Sequence, residues 1–181
     1  KVNINMELNK VSGLTLNDYK KIFTGLPNDT NKIFQDNYQV FYNMEKKYIF
    51  ETRMDVRDYE CDIQGIVNNA NYLHYTEHTR HRFLKHAGLS FAALHERGID
   101  AVVARMQLSY KVPLRCDDEM ISCMNLRKEG LRYVFLHDIY RACDHKLSFS
   151  AKVDLVVLIN GKLGQSEDYD RAFAPFIENA E

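Results

Sequence analysis

The run Asp62-Ile63-Gln64-Gly65-Ile66-Val67-Asn68-Asn69-Ala70-Asn71-Tyr72 holds the residues best suited to chemistry. A carboxylate stands just before a Gly turn, and a helix is expected to begin almost at once. Such a junction sets an acid beside the unbonded N–H groups of a turn and a helix start. Hydrolysis of a thioester uses both: a carboxylate to attack the carbonyl or activate water, and N–H donors to hold the oxyanion. Asp62 can also act as a plain Asx-turn residue capping Gly65 or the next N–H, and the two roles are compatible. Asn69 can offer its amide to a carbonyl or cap the helix, and the spacing favours neither. Asn71 reads as a tie between loop and helix. Asp58 and Glu60 read as the solvated approach to the turn, and Asp55 as the outward side of a strand. Cys61 is a poor nucleophile here, because the adjacent carboxylate opposes thiolate formation.

Further along the same helix, Glu77 and Arg80 are spaced for an i,i+3 ion pair. The functional alternative has Glu77 orient a water or reach a site from a neighbouring subunit. His74, His78 and His81 lie on the polar side with Arg82 and Lys85, and read as solvated surface rather than a metal site. Arg127, Lys128 and Arg132 flank a tight turn. They form either a charged hairpin end or a grip for the phosphates of coenzyme A.

Composition narrows the field. The chain has 181 residues, 45% apolar, with net charge -1. That suits one domain with an appendage. No basic stretch suits nucleic acid, and no apolar run suits a membrane span. No signal-peptide pattern stands at the start of the sequence, and a cytoplasmic location is expected. Four scattered cysteines without a CxxC pair exclude a thiolate zinc site; Cys123 and Cys143 fall in expected strands.

The elements that must position these residues follow from periodicity. Residues 1–43 suggest two short helices, a helical extension. A domain is expected over 44–164 and a tail over 165–181, the tail being a short amphipathic helix or a loop. Alternation at Tyr48, Phe50, Thr52, Met54 and Val56 predicts a strand. A helix is predicted from Asn71 to His86, ended by Gly88, and a short one begins at Ser90. In the long helix, Tyr72, Leu73, Tyr75, Thr76, Phe83, Leu84 and Ala87 share one face. Strands are predicted at 101–110, 119–127, 132–143 and 147–159. In the last, Leu147, Phe149, Ala151, Val153, Leu155 and Val157 face one way. Strand, long helix, then antiparallel strands is an α+β order.

These residues resemble a known family. Asp58-Tyr59-Glu60-Cys61-Asp62, Gly65-Ile66-Val67, Asn71-Tyr72-Leu73 with Glu77 and Arg80, and Tyr110-Lys111-Val112-Pro113 with Asp117-Asp118 are similar to hotdog-fold acyl-CoA thioesterases, in the 4-hydroxybenzoyl-CoA thioesterase-like branch. The resemblance runs from about Lys47 to Gly161. It implies a curled antiparallel sheet wrapped around a long central helix, and a homodimer or dimer of dimers. It places the catalytic carboxylate on Asp62, with oxyanion donors near Val102 to Arg105 and at the partner's helix start. It implies no cofactor beyond coenzyme A as part of the substrate. The Asn68-Asn69 pair is closer to acyl-acyl carrier protein (ACP) thioesterases, so acyl-CoA and acyl-ACP both stand as substrates. A non-catalytic acyl-thioester-binding protein on the same fold is the competing class.

Overall fold

The computed structural model describes residues 48–177. The helices expected within 1–43 lie outside the described residues.

The described residues form a six-stranded antiparallel sheet with one long helix against it. The elements are β1 (Phe50–Asp55), a 3-10 turn (Asp58–Glu60), α1 (Asn71–His86), α2 (Phe91–Glu96), β2 (Ile99–Tyr110), β3 (Glu119–Glu129), β4 (Arg132–Arg141), β5 (Leu147–Ile159), β6 (Lys162–Gly164) and α3 (Glu167–Phe173). The strand order is β1-β3-β4-β5-β2, with β6 hydrogen-bonded to β5. Short turns order β3, β4 and β5 as a meander, and the crossover through α1 and α2 sends β2 to the far edge.

The core lies between α1 and one sheet face. Tyr72, Tyr75, Phe83 and Leu84 of α1 meet Met120, Met124, Phe135, Phe149 and Val153. The predicted helix bounds and the Ser90 cap of α2 are the observed ones; Ser90 Oγ accepts the N–H of Ala93. No helix among the described residues is long and apolar enough to cross a membrane.

Three expectations are corrected, for Arg80, Leu147 and Cys143. Arg80 does not pair with Glu77. It turns inward, is buried, and its Nη1 lies 3.4 Å from His137 Nε2 on β4. Glu77 is exposed instead, with His74 Nδ1 at 4.0 Å and His81 Nε2 at 3.9 Å. Leu147 leaves the inward face: a bulge lets Tyr140 pair with Leu147 while Ile139 pairs with Phe149. The extra residue, Ser148, reverses the alternation, and Leu147 packs with Ile121, Cys123 and Tyr140 on the other face. Cys143 sits in the exposed turn after β4, not in the strand. After β5, Asn160 and Gly161 both have positive φ, 49° and 79°, and they fold β6 back as a hairpin. Of the two forms expected for the tail from residue 165, the helix is observed: α3 puts Tyr169 and Phe173 into the main core, where Phe173 stacks on Phe83 at 5.7 Å.

Candidate active site

Asp62 sits on a hairpin anchored from both ends. Upstream, the buried Val56 donates its N–H to Asp118 O at 2.9 Å and accepts from Asp117 N at 3.2 Å. The 3-10 turn then brings Glu60 inward, only 7% exposed, against the solvated position expected for it. The reason is local satisfaction of its charge. Glu60 Oε2 accepts the Arg57 N–H at 2.8 Å and the Tyr75 hydroxyl at 2.8 Å. Burial and this carboxylate hold the Tyr75 phenol far above its ordinary titration range, so it stays a donor. The Glu60 carbonyl accepts the Asn68 N–H at 2.9 Å and the Asn71 side-chain amide at 2.7 Å. Asn71 is thus the tie between loop and helix that its position suggested.

Within the hairpin, Cys61 bridges Val67, the Asp62 N–H donates to Ile66 O at 2.9 Å, and Gly65 N–H donates to Asp62 O at 2.9 Å. Gly65 adopts φ +70°, the left-handed conformation that closes such a three-residue loop. Asp62 Oδ1 accepts the Gln64 N–H at 2.8 Å. This is the Asx turn, and it uses one carboxylate oxygen. The other has no hydrogen-bond partner among the described residues.

Beyond Val67, Asn68 starts the helix. Its Oδ1 accepts Ala70 N–H at 3.0 Å, and its carbonyl accepts Asn71 N–H at 3.0 Å. The capping role therefore belongs to Asn68, and the Asn69 carboxamide has no hydrogen-bond partner among the described residues. The backbone N–H groups of Asn69 and Tyr72 also lack an acceptor there, as the first turn of a helix dictates. Asp62, Asn69 and Tyr72 line one cleft of about 330 Å³ together with Tyr110, Lys111 and Pro113, and the Tyr110 hydroxyl donates to Asn69 O at 3.2 Å. That volume is at the small end for ligand sites. Tyr72 is held in its wall by stacking on Phe149 at 5.0 Å and by accepting the Leu114 N–H at 3.1 Å.

The other expected residues lie apart. Glu77 does not line this cleft. Lys128 pairs with Asp170, and Arg132 with Asp154 at 3.0 Å and Glu129 at 3.2 Å. They stand, with Arg127, at the β3–β4 turn. The opposite end of β3, Glu119, pairs with Asp55 beside the Asp62 loop. Nine residues of extended chain separate Glu119 from Lys128, about 30 Å. The stretch Val102 to Arg105 is the exposed middle of edge strand β2, and the β2–β5 register shifts between Val103 and Arg105. Met124 and Phe135 are wholly buried in the core and Leu108 is exposed. His74 and His78 line a second hollow with Arg53, Arg57 and Glu60. Among the described residues, no cluster of His, Cys, Asp or Glu is arranged to hold a metal.

The profile of the Thioesterase-like superfamily matches residues 56–176, from the Asp62 loop through α3. The chain belongs to this superfamily. A chloroplastic acyl-acyl carrier protein thioesterase of Arabidopsis thaliana is 31% identical over 111 residues, 61% of this chain and 58% of that one. The chain thus spans just over half the length of this relative. A 1,4-dihydroxy-2-naphthoyl-CoA thioesterase from Synechocystis superposes with TM-score 0.65 at 16% identity, over 69% of this chain and 95% of that one. A protein from Aquifex aeolicus does so with TM-score 0.62 at 27% identity, over 66% and 94%. These likenesses place the sheet and long helix in the hotdog fold. Glu60 is the residue that sequence reasoning missed. Its burial depends on Tyr75, fifteen residues on, a distance that no local pattern spans.

Proposed function

We propose that this protein hydrolyses an acyl thioester to a carboxylic acid and a free thiol, with acyl-CoA as substrate and acyl-ACP as the alternative. One observation carries the reading. Asp62 is oriented through one oxygen and keeps the other unbonded, in the same cleft as unsatisfied N–H groups at a helix start. The unbonded oxygen either attacks the thioester carbonyl, giving an anhydride, or takes a proton from water as the water attacks. The oxygen that becomes negative is received by the N–H groups of Asn69 and Tyr72, with the Asn69 carboxamide as a further donor. The thiolate then leaves and takes a proton; on the anhydride route a water next cleaves the anhydride, which frees the carboxylic acid and restores the Asp62 carboxylate. Membership of the superfamily supports this chemistry; the Synechocystis and Arabidopsis proteins bear the names of a CoA and an ACP thioesterase respectively.

A homodimer belongs to the same reading. Strand β2 is twelve residues long and hydrogen-bonds to β5 on one side only. Its Val103 and Leu108 are 46% and 38% exposed. A long apolar edge of this kind is a template for another strand, and a second copy of β2 supplies it. Glu77 and the Arg127 group enter the reaction only through such a neighbour. A panel of acyl-CoA and acyl-ACP thioesters with free thiol measured tests the proposal. Turnover of at least one class is expected, and absence of thiol release across the panel would favour the non-catalytic binding protein.

A further inference from the structure

The segment Lys111-Val112-Pro113-Leu114-Arg115 contributes its first three residues to the cleft lining. Its backbone is pinned by hydrogen bonds along its length. Lys111 N–H donates to Ser148 O at 2.8 Å, Leu114 N–H to the Tyr72 hydroxyl at 3.1 Å, and Arg115 N–H to Asp118 Oδ2 at 2.8 Å. Leu114 O accepts the Val67 N–H at 2.9 Å, directly behind the Asp62 hairpin. From this rigid base two exposed cations project. Lys111 lines the cleft, and Arg115 Nη1 lies 3.5 Å from Gly65 O at the hairpin turn. Neither forms an ion pair among the described residues. Lys128, Arg132, Arg141 and Lys152 each sit against a carboxylate. Two cations without an ion pair among the described residues, one in the cleft lining and one at the hairpin turn, both on fixed backbone, suit an anion arriving with the substrate.

We propose that Lys111 and Arg115 clamp the phosphate of the 4′-phosphopantetheine arm, the group that CoA and an acyl carrier protein share. This rests on the thioesterase reading above. The small cleft takes the reacting end of the thioester, and the arm leaves over the rim between the two cations.

The test compares kcat/KM for the same acyl group on pantetheine, 4′-phosphopantetheine, CoA and ACP. Wild type is expected to favour 4′-phosphopantetheine over pantetheine by about tenfold or more, the effect of one charge-assisted contact. In the double variant Lys111→Met, Arg115→Gln that ratio is expected to fall to about twofold or less; the reference to pantetheine cancels any general loss of activity. Raising salt should compress the wild-type ratio as well. The preferences for CoA and ACP should collapse together, since both carry this phosphate. A wild type that hydrolyses both small thioesters equally, or a variant that keeps the preference, would overturn the clamp. A loss confined to CoA would also overturn it, pointing to the nucleotide phosphates. Hydrolysis of none of the four would overturn the thioesterase reading, and the clamp with it.

Discussion

Glu60→Ala is expected to loosen the loop that presents Asp62 without touching Asp62 itself. The Glu60 carboxylate joins the 3-10 turn to α1: Oε2 accepts from Arg57 N–H and from the Tyr75 hydroxyl, both at 2.8 Å. Tyr75 is 5% exposed, so its hydroxyl loses its partner with little access to water. A hydrogen bond to a buried carboxylate contributes about 1.5–3 kcal/mol. The Arg57 N–H lies in a part-buried turn on an exposed residue, and its loss adds less than the buried Tyr75 contact. The sum is about 3 kcal/mol. In a domain of this size that lowers the melting temperature by roughly 6–12 °C. Circular dichroism melts of wild type, Glu60→Ala, Tyr75→Phe and the double variant measure it. The cycle should return a coupling of about 1–2 kcal/mol, because both single changes remove the same contact. Turnover should fall in step, since the turn that the Glu60 side chain ties to α1 carries the main-chain carbonyl that holds Asn68 and Asn71. Additive single effects, or a melt shifted by less than about 2 °C, would refute the reasoning.

Arg132→Ala should destabilise by about 2 kcal/mol, read from urea midpoints, because Asp154 is 4% exposed and loses its cation; the effect stays below the 3–5 kcal/mol of a fully buried pair since Arg132 itself is 44% exposed. His137 is buried, and burial together with Arg80 keeps its imidazole neutral well below the ordinary 6.5. Below pH 6.5 the unfolded chain takes up that proton and the folded one does not, so its stabilising effect is full above this pH and is lost as the pH falls, by up to about 1.4 kcal/mol per pH unit. His137→Gln, which keeps an acceptor for Arg80, should flatten the urea midpoint between pH 7 and 5. Val103→Lys should convert a dimer to a monomer in light scattering by placing a charge on the β2 edge; a monomeric wild type with full activity would contradict the proposed pairing.

Much of this architecture was legible before the fold was known, and the exceptions share a cause. The bounds of α1, its buried stripe and the alternation of β5 from Phe149 to Val157 are periodic signals, carried by many residues at once. Arg80 falls inside that stripe by projection, but sequence spacing offered Glu77 as its partner. The actual neighbour, His137, is 57 residues away and enters only when β4 lies under the helix. Leu147 was assigned to the wrong face because a single bulge residue, Ser148, leaves no mark in an alternating pattern. The return strand β6 was announced by Asn160-Gly161, a known hairpin pair, and its three residues were too few to show alternation. At the site, the Asx turn at Asp62 and the glycine at positive φ followed from residue type alone. The exchange of capping roles between Asn68 and Asn69 did not, because two adjacent asparagines are chemically equal until the backbone chooses between them.

The central claim is that the unbonded oxygen of Asp62 carries thioester hydrolysis. Steady-state turnover of the Asp62→Asn protein on its best acyl thioester tests it most directly, with a melting curve confirming the fold. Asparagine keeps the Asx-turn oxygen for Gln64 N–H and removes the nucleophilic or basic one. A fall in kcat of roughly 10²-fold or more with little change in melting temperature is the expected result. Equal turnover in wild type and variant would show that the chemistry is carried elsewhere.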